Sequence, residues 1–209
     1  MHFKDRQHAA EQLAVSLRKY AGKDTVVYAL PRGGAVLGAY LAKKLGLPFD
    51  LILTRKIGHP YNPEYAIAAV AENGEIEKNE EELRHIDQQW FKQEVSRELA
   101  EIKRRRNLYL GDRKSVDPKG KTAIVVDDGL ATGLTMKAAI MDLRAQKAKT
   151  VIAAVPVAPS DTAREIARLV DEIVILHIPA GFAAIGLYYQ DFPQVTDEEV
   201  VELVKSAII

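Results

Sequence analysis

The sequence predicts an α/β fold, a mainly parallel sheet flanked by helices, with a helical insertion and a small C-terminal hood. Three observations carry this. Five short apolar runs rich in β-branched residues recur along the 209-residue chain, and segments with apolar residues at helical spacing separate most of them. With 47% hydrophobic residues, the chain can bury one substantial core. One charged stretch without Gly or Pro, residues 79–110, interrupts the alternation.

In chain order, Phe3 to Tyr20 reads as an amphipathic helix carrying Ala10, Leu13, Ala14 and Leu17, with Gly22 to end it. "TVVYAL" (25–30) is a buried strand, and "AVLGAYLAKKLG" is a helix closed by Gly46. "FDLILTRKI" (49–57) reads as the next strand, and the breaker-rich "GHPYNPEY" (58–65) as a loop. Alternation around Asn73-Gly74 is a hairpin signal. Leu83, Ile86, Trp90, Val95, Leu99 and Ile102 predict one or two inserted helices. Strands follow at 122–128, 150–158 and 172–178, with helices at 133–147 and 160–170. After an aromatic loop, Thr196 and Glu199 form a capping-box pattern that opens a last helix. The expected organisation is a core of 1–78 and 111–176, an insertion at 79–110, and a hood with its helix at 177–209.

Composition excludes several functions. Lys+Arg and Asp+Glu are 29 each, which argues against a nucleic-acid footprint and against attraction to a membrane surface. The basic "KRRR" (103–106) lies among acids and reads as a solvated or interface helix face. Without Cys there is no disulfide framework, thiolate metal site or Cys nucleophile. No G-x-x-x-x-G-K-[ST] occurs, so no P-loop is expected. No apolar run reaches about 18 residues, and the N-terminus lacks the apolar stretch of a signal peptide. A cytoplasmic protein is expected.

The chemistry concentrates in "IVVDDGLATGLTM" (124–136). Ligands of parallel sheets sit beyond the carboxyl ends of the strands, and Asp127 and Asp128 fall at such an end. Residues 131–135 bring unpaired backbone N–H groups round a helix start, where the dipole favours an anion; Thr132 and Thr135 add hydroxyl donors. The two acids are acceptor-only and suit a polyol or a cation-bound group. Phosphate on the N–H cradle and sugar hydroxyls on the acids describe a ribose 5-phosphate.

"VVDDGLATGLT" resembles the phosphoribosyl-pyrophosphate motif of the type I phosphoribosyltransferases. The whole chain is similar to bacterial members of that family in which "DR..A...LA..L", "LPRGG", "RK.G.P.NPE.AI.AVAE", "VDDGLATG" and "G.YY.DF" recur in this order. The resemblance implies transfer of a 5-phosphoribosyl group from phosphoribosyl pyrophosphate to a nitrogenous base, with Mg²⁺ on the pyrophosphate. It assigns Asp127 and Asp128 to the ribose hydroxyls and the metal. It gives Gly129, Ala131, Thr132, Gly133 and Thr135 to phosphoribosyl pyrophosphate, the 5-phosphate falling to Thr132, Gly133 and Thr135, and Arg32, Gly33 and Gly34 of "PRGG" to the pyrophosphate. Arg55 and Lys56 would neutralise pyrophosphate oxygens, with 58–65 as a lid. "VDEIVILHIPAGFAAIGLYYQDF" resembles the hood of hypoxanthine-guanine phosphoribosyltransferases, which implies that Phe182 stacks on the base, the Ala183 backbone bonds its edge, and Asp191 approaches the metal. The phosphate loop, with Ala131 where the hypoxanthine-guanine enzymes carry Asp, is nearer the adenine type. The base therefore stays open, with a purine-like one expected. A homodimer is expected. A regulatory protein that binds phosphoribosyl pyrophosphate or a nucleotide in the same pocket is the alternative.

Overall fold

The computed structural model describes residues 2–207. At its centre lies a five-stranded, wholly parallel sheet in the order β2 (Phe49–Leu51), β1 (Thr25–Ala29), β6 (Thr122–Val126), β7 (Thr150–Val157) and β8 (Glu172–His177). Helices cover both faces, which is why the strands are continuously apolar instead of alternating. Val27, Ala29, Ile124, Val126, Ile152 and Ala154 pack in one layer with α1 (Arg6–Ser16) and α2 (Gly33–Leu45). Their neighbours Val26, Tyr28, Val125, Val151 and Val155 pack in the other with α5 (Leu134–Ala145) and α6 (Ser160–Ala167). The chain leaves β1 for β2 on one side, and β6 leads to β7 and β8 on the other. The crevice beyond the ends of β1 and β6 is therefore the topological switch point of the sheet.

The strand expected over 49–57 is two strands in two sheets. Leu51 ends β2, buried Ile52 and Leu53 cross over, and β3 (Thr54–His59) opens a separate antiparallel arm with β4 (Asn62–Ala71) and β5 (Ile76–Lys78). No polar residue or breaker marks the crossing, so the apolar run hides it. The loop expected over 58–65 is mostly strand as well. Only Pro60 and Tyr61 turn between β3 and β4, and register shifts around Gly58 absorb the breakers. The β4–β5 hairpin forms around Asn73-Gly74 as read, with Val70 opposite Ile76.

The insertion holds α3 (Glu80–Leu83) and the 23-residue α4 (Gln88–Leu110), begun by side-chain caps from Asn79 and Asp87. The arginines of its basic run are paired within the protein: Arg104 and Arg105 bind Glu101, and Arg106 binds Glu72 and Ser115. The C-terminal α7 (Asp197–Ser206) starts from the Thr196–Glu199 capping box. The first helix begins later than expected, because Asp5 caps the His8 N–H and leaves Phe3 outside. Phe3 instead joins the hood. Its N–H donates to the Tyr188 carbonyl (2.8 Å), and its carbonyl accepts from Gln190 (2.8 Å). Among the described residues no helix is long and apolar enough to cross a membrane.

The position of α2 depends on Gly38, where a Cβ would lie 2.6 Å from the Ala29 Cβ and 2.8 Å from the Phe49 ring. Gly38→Ala is expected to lower stability by about 1–3 kcal/mol, as overpacking does. Urea unfolding followed by circular dichroism measures this, and an unchanged midpoint would refute the close approach.

Candidate functional site

Two loops converge at the switch point. After β1 the chain runs through Leu30, Pro31 and Arg32 into α2; after β6 it runs through Asp127 and Asp128 to α5. They meet because the first loop is bare of side chains where they touch. A Cβ on Gly33 would sit 1.8 Å from Oδ2 of Asp128, and one on Gly34 would sit 2.7 Å from the Val126 carbonyl. The cavity they enclose is about 240 Å³, just below the usual range for ligand sites. Arg32, Gly33, Lys56, Asp127, Asp128, Gly129, Ala131, Thr132, Gly133 and Thr135 all line it, so most of the expected site residues come together. Gly34 lies just behind, against Asp127.

The turn after β6 leaves the start of α5 without a side-chain cap. Gly133, with φ of 73°, takes the left-handed conformation that glycine adopts without strain. The first N–H groups of α5 are thus left for a ligand. The turn is held from outside: Leu130 N–H donates to the Val157 carbonyl (2.9 Å), and the Thr162 hydroxyl donates to the Ala131 carbonyl (2.7 Å).

The two acids differ. Asp128 is buried, and its Oδ2 accepts from Arg6 Nε at 2.8 Å. The same guanidinium donates to the Pro193 carbonyl (2.7 Å) and lies 3.8 Å over the Phe192 ring. The Tyr189 hydroxyl donates to the Asp128 carbonyl (2.7 Å). Asp127 accepts the Asp128 N–H on Oδ1 (2.8 Å) and has no arginine of its own among the described residues. Burial, and then the neighbouring Asp128 charge, hold its carboxyl well above the usual range, with Lys56 and Arg6 opposing. Burial raises Asp128 too, against the Arg6 charge. The Asp127 and Asp128 side chains also lie within hydrogen-bonding reach of each other.

Four expected residues lie elsewhere. The Arg55 side chain turns to Glu98 of α4 (2.6 Å), since alternate residues of β3 point to opposite faces and Lys56 has the cavity side. Phe182 stacks on Tyr188, with ring centroids 5.7 Å apart, and Ala183 is exposed; neither lines the cavity. Asp191 lines a different groove, between α1 and α7, because its backbone is zipped to Lys4. The three-carboxylate metal set is therefore not gathered, and no cluster of three or more His, Cys, Asp or Glu suited to a metal occurs among the described residues. The sequence reading missed Arg6, Thr54, Thr162, Ile185 and Tyr189. Helical periodicity could not find Arg6, since it places a charged residue at a helix start in solvent. Thr54 was hidden inside a strand assigned too long.

Uncapped helix N–H groups beside a carboxylate pair, at the switch point of a parallel sheet, define an α/β domain with a polar cavity beyond the ends of β1 and β6. Residues 3–190 match the model of the phosphoribosyl transferase domain, and the chain belongs to that family of transferases. It is 39% identical over 207 residues to a Mycobacterium tuberculosis (strain H37Rv) protein provisionally named a phosphoribosyl transferase. That match covers 98% of this chain and 47% of the relative, so the chain spans about half the relative's length. The crystal structure of TT1426 from Thermus thermophilus superposes with a TM-score of 0.84 at 38% identity, covering all of both chains. A purine phosphoribosyltransferase from Pyrococcus horikoshii superposes with a TM-score of 0.48 at 18% identity, covering 94% of this chain and 99% of that one.

Two outcomes are expected. Arg6→Met leaves Asp128 buried without its partner and should cost about 3–5 kcal/mol in urea unfolding, most of it recovered in Arg6→Met/Asp128→Asn. A double variant no more stable than the single one would refute the pairing. For Asp127, the folded state keeps a proton that the unfolded chain releases near its ordinary value of 3.8, so this group's contribution to stability falls as pH rises above that value. Asp127→Asn should therefore raise the unfolding temperature at neutral pH and flatten its pH dependence. An unchanged profile would show that Asp127 is not strained.

Proposed function

We propose that this domain transfers the 5-phosphoribosyl group from phosphoribosyl pyrophosphate to a nitrogenous, purine-like base and releases pyrophosphate. The carrying observation is the uncapped start of α5 facing Asp127 and Asp128 across one cavity, with Lys56 and Arg32 on its rim. The 5-phosphate would take the N–H groups and hydroxyls at Thr132–Thr135, and the ribose hydroxyls the carboxyl groups of the two acids. Arg32, Gly33 and Lys56 would hold the pyrophosphate. The apolar wall of Leu30, Leu130 and Ile185 offers the acceptor base a surface. Stacking by Phe182 would require its pairing with Tyr188 to open.

The donor set fits a magnesium ion that arrives with the pyrophosphate. Mg²⁺ is commonly held by one or two carboxylates plus substrate phosphates, which is what Asp127 and Asp128 provide. When bound, it would neutralise charge on the departing pyrophosphate. The chain's own part is to orient the ribose and shield it from water; no covalent nucleophile is needed. The pairing of Arg104, Arg105 and Arg106 within the protein supports small-molecule partners over nucleic acid. The reading is of a salvage reaction, run by a homodimer in the cytoplasm.

Asp127→Asn/Asp128→Asn takes the carboxylate from Arg6 and should unfold at lower urea, and at temperatures where circular dichroism shows it folded it should lower turnover by at least about 10²-fold, the scale for losing preorganised polar groups at a reacting centre. Pyrophosphate release from phosphoribosyl pyrophosphate with Mg²⁺, against a panel of free bases, measures it. Release with one base would name the acceptor. Undiminished release in the double variant would sink the assignment.

A further inference from the structure

Arg32 belongs to two networks. Its residue lines the cavity, at the start of α2 where a cation can reach phosphoryl oxygens. Its Nη1, however, lies 3.6 Å from Oδ1 of Asp197 at the start of α7. That same oxygen accepts the Tyr109 hydroxyl at 2.6 Å. Tyr109 stands near the end of α4, is 3% exposed, and has its phenol pushed up to about 12 by burial and by the bond to Asp197. It therefore remains a donor throughout the physiological range. Asp197 is the first residue of α7, where the helix dipole favours a carboxylate. The arrangement is a fixed internal anion, braced by a buried donor and facing the arginine of the pyrophosphate loop.

We propose that Asp197, held by Tyr109, competes with pyrophosphate for Arg32 and keeps that arginine at the rim of the site until a pyrophosphate group displaces the contact. This rests on the phosphoribosyl reading of the site. It gives the insertion and the hood a common role, since one supplies Tyr109 and the other Asp197. It also gives a basis for discrimination. A monophosphate seated at the start of α5 leaves the Arg32–Asp197 contact intact, whereas a pyrophosphate group must break it. The contact is long and about a third exposed on the arginine side, so the competition is weak and reversible.

Isothermal titration of the full chain with magnesium pyrophosphate, and separately with ribose 5-phosphate, tests this. Asp197→Asn should bind pyrophosphate about two- to fivefold tighter, the equivalent of one half-exposed ion pair, with ribose 5-phosphate affinity unchanged. Tyr109→Phe should shift pyrophosphate affinity the same way by less, and it carries the test if Asp197→Asn fails to fold. In an Arg32→Gln background, Asp197→Asn should have no effect. Unchanged or weaker pyrophosphate binding in both variants would overturn the competition. So would a gain that persists without Arg32, since that would be a general charge effect. If the wild type binds neither pyrophosphate nor phosphoribosyl pyrophosphate, the phosphoribosyl reading falls instead.

Discussion

Two carboxylates on adjacent residues at the end of a buried strand repel each other. Unit charges about 4 Å apart at an effective dielectric of ~20 do so by about 4 kcal/mol. The structure meets this by treating the acids unequally. Asp128 receives a buried arginine, and Asp127 does not. Much of the architecture around the switch point follows from that choice. Arg6 must reach Asp128, so α1 starts at Arg6, capped by Asp5, and the chain before it pairs with the hood. The guanidinium has donors to spare, and one of them fixes the Pro193 carbonyl while its face covers Phe192. A single side chain thus ties the N-terminus, the hood and the candidate catalytic pair together. The strain left on Asp127 is of the kind that a metal-bound sugar phosphate would relieve.

The second constraint is steric. The β1 loop can approach the acids only because Gly33 and Gly34 have no side chains, and α2 can lie low on the sheet only because Gly38 has none. Arg32 is then the side chain on that loop able to reach outward. It meets two claims on its charge, one from the cavity and one from Asp197. The insertion enters the site through this contact, by Tyr109, and not through its basic run, whose arginines bind Glu101 and Glu72.

The parallel sheet was legible because its strands, buried on both faces, read as unbroken apolar runs, and because Gly46, Asn73-Gly74 and Thr196 have local meanings that tertiary structure did not override. The turn between β6 and α5 was legible for the same reason: helix starts and strand ends are local. What was not legible was non-local. The break between Leu51 and Thr54 leaves no trace in an apolar run. The breakers at 58–63 signal a loop, yet a register shift accommodates them in a hairpin. The Arg6–Asp128 pair spans 122 positions, and nothing about Arg6 itself marks it as buried.

The same distinction explains why the expected hood residues fell outside the cavity. Which face an aromatic presents depends on what else the segment must bind. Here the backbone of 188–191 is committed to residues 3 and 4. That pairing turns Tyr189 inward to the Asp128 carbonyl, and Tyr188 outward against Phe182. It carries Asp191 to the far side, over the groove between α1 and α7. Ile185 is left as the hood's contribution to the cavity wall. An acceptor base would therefore meet an aliphatic surface first, and its edge would have to be read by backbone groups. With Ala131 in the turn after β6, the described residues of the cavity include no side-chain acid beyond Asp127 and Asp128. In the proposed transfer, selectivity for the acceptor would rest on shape and on backbone hydrogen bonds, and Arg32 and Lys56 would supply the chain's charge stabilisation of the leaving pyrophosphate.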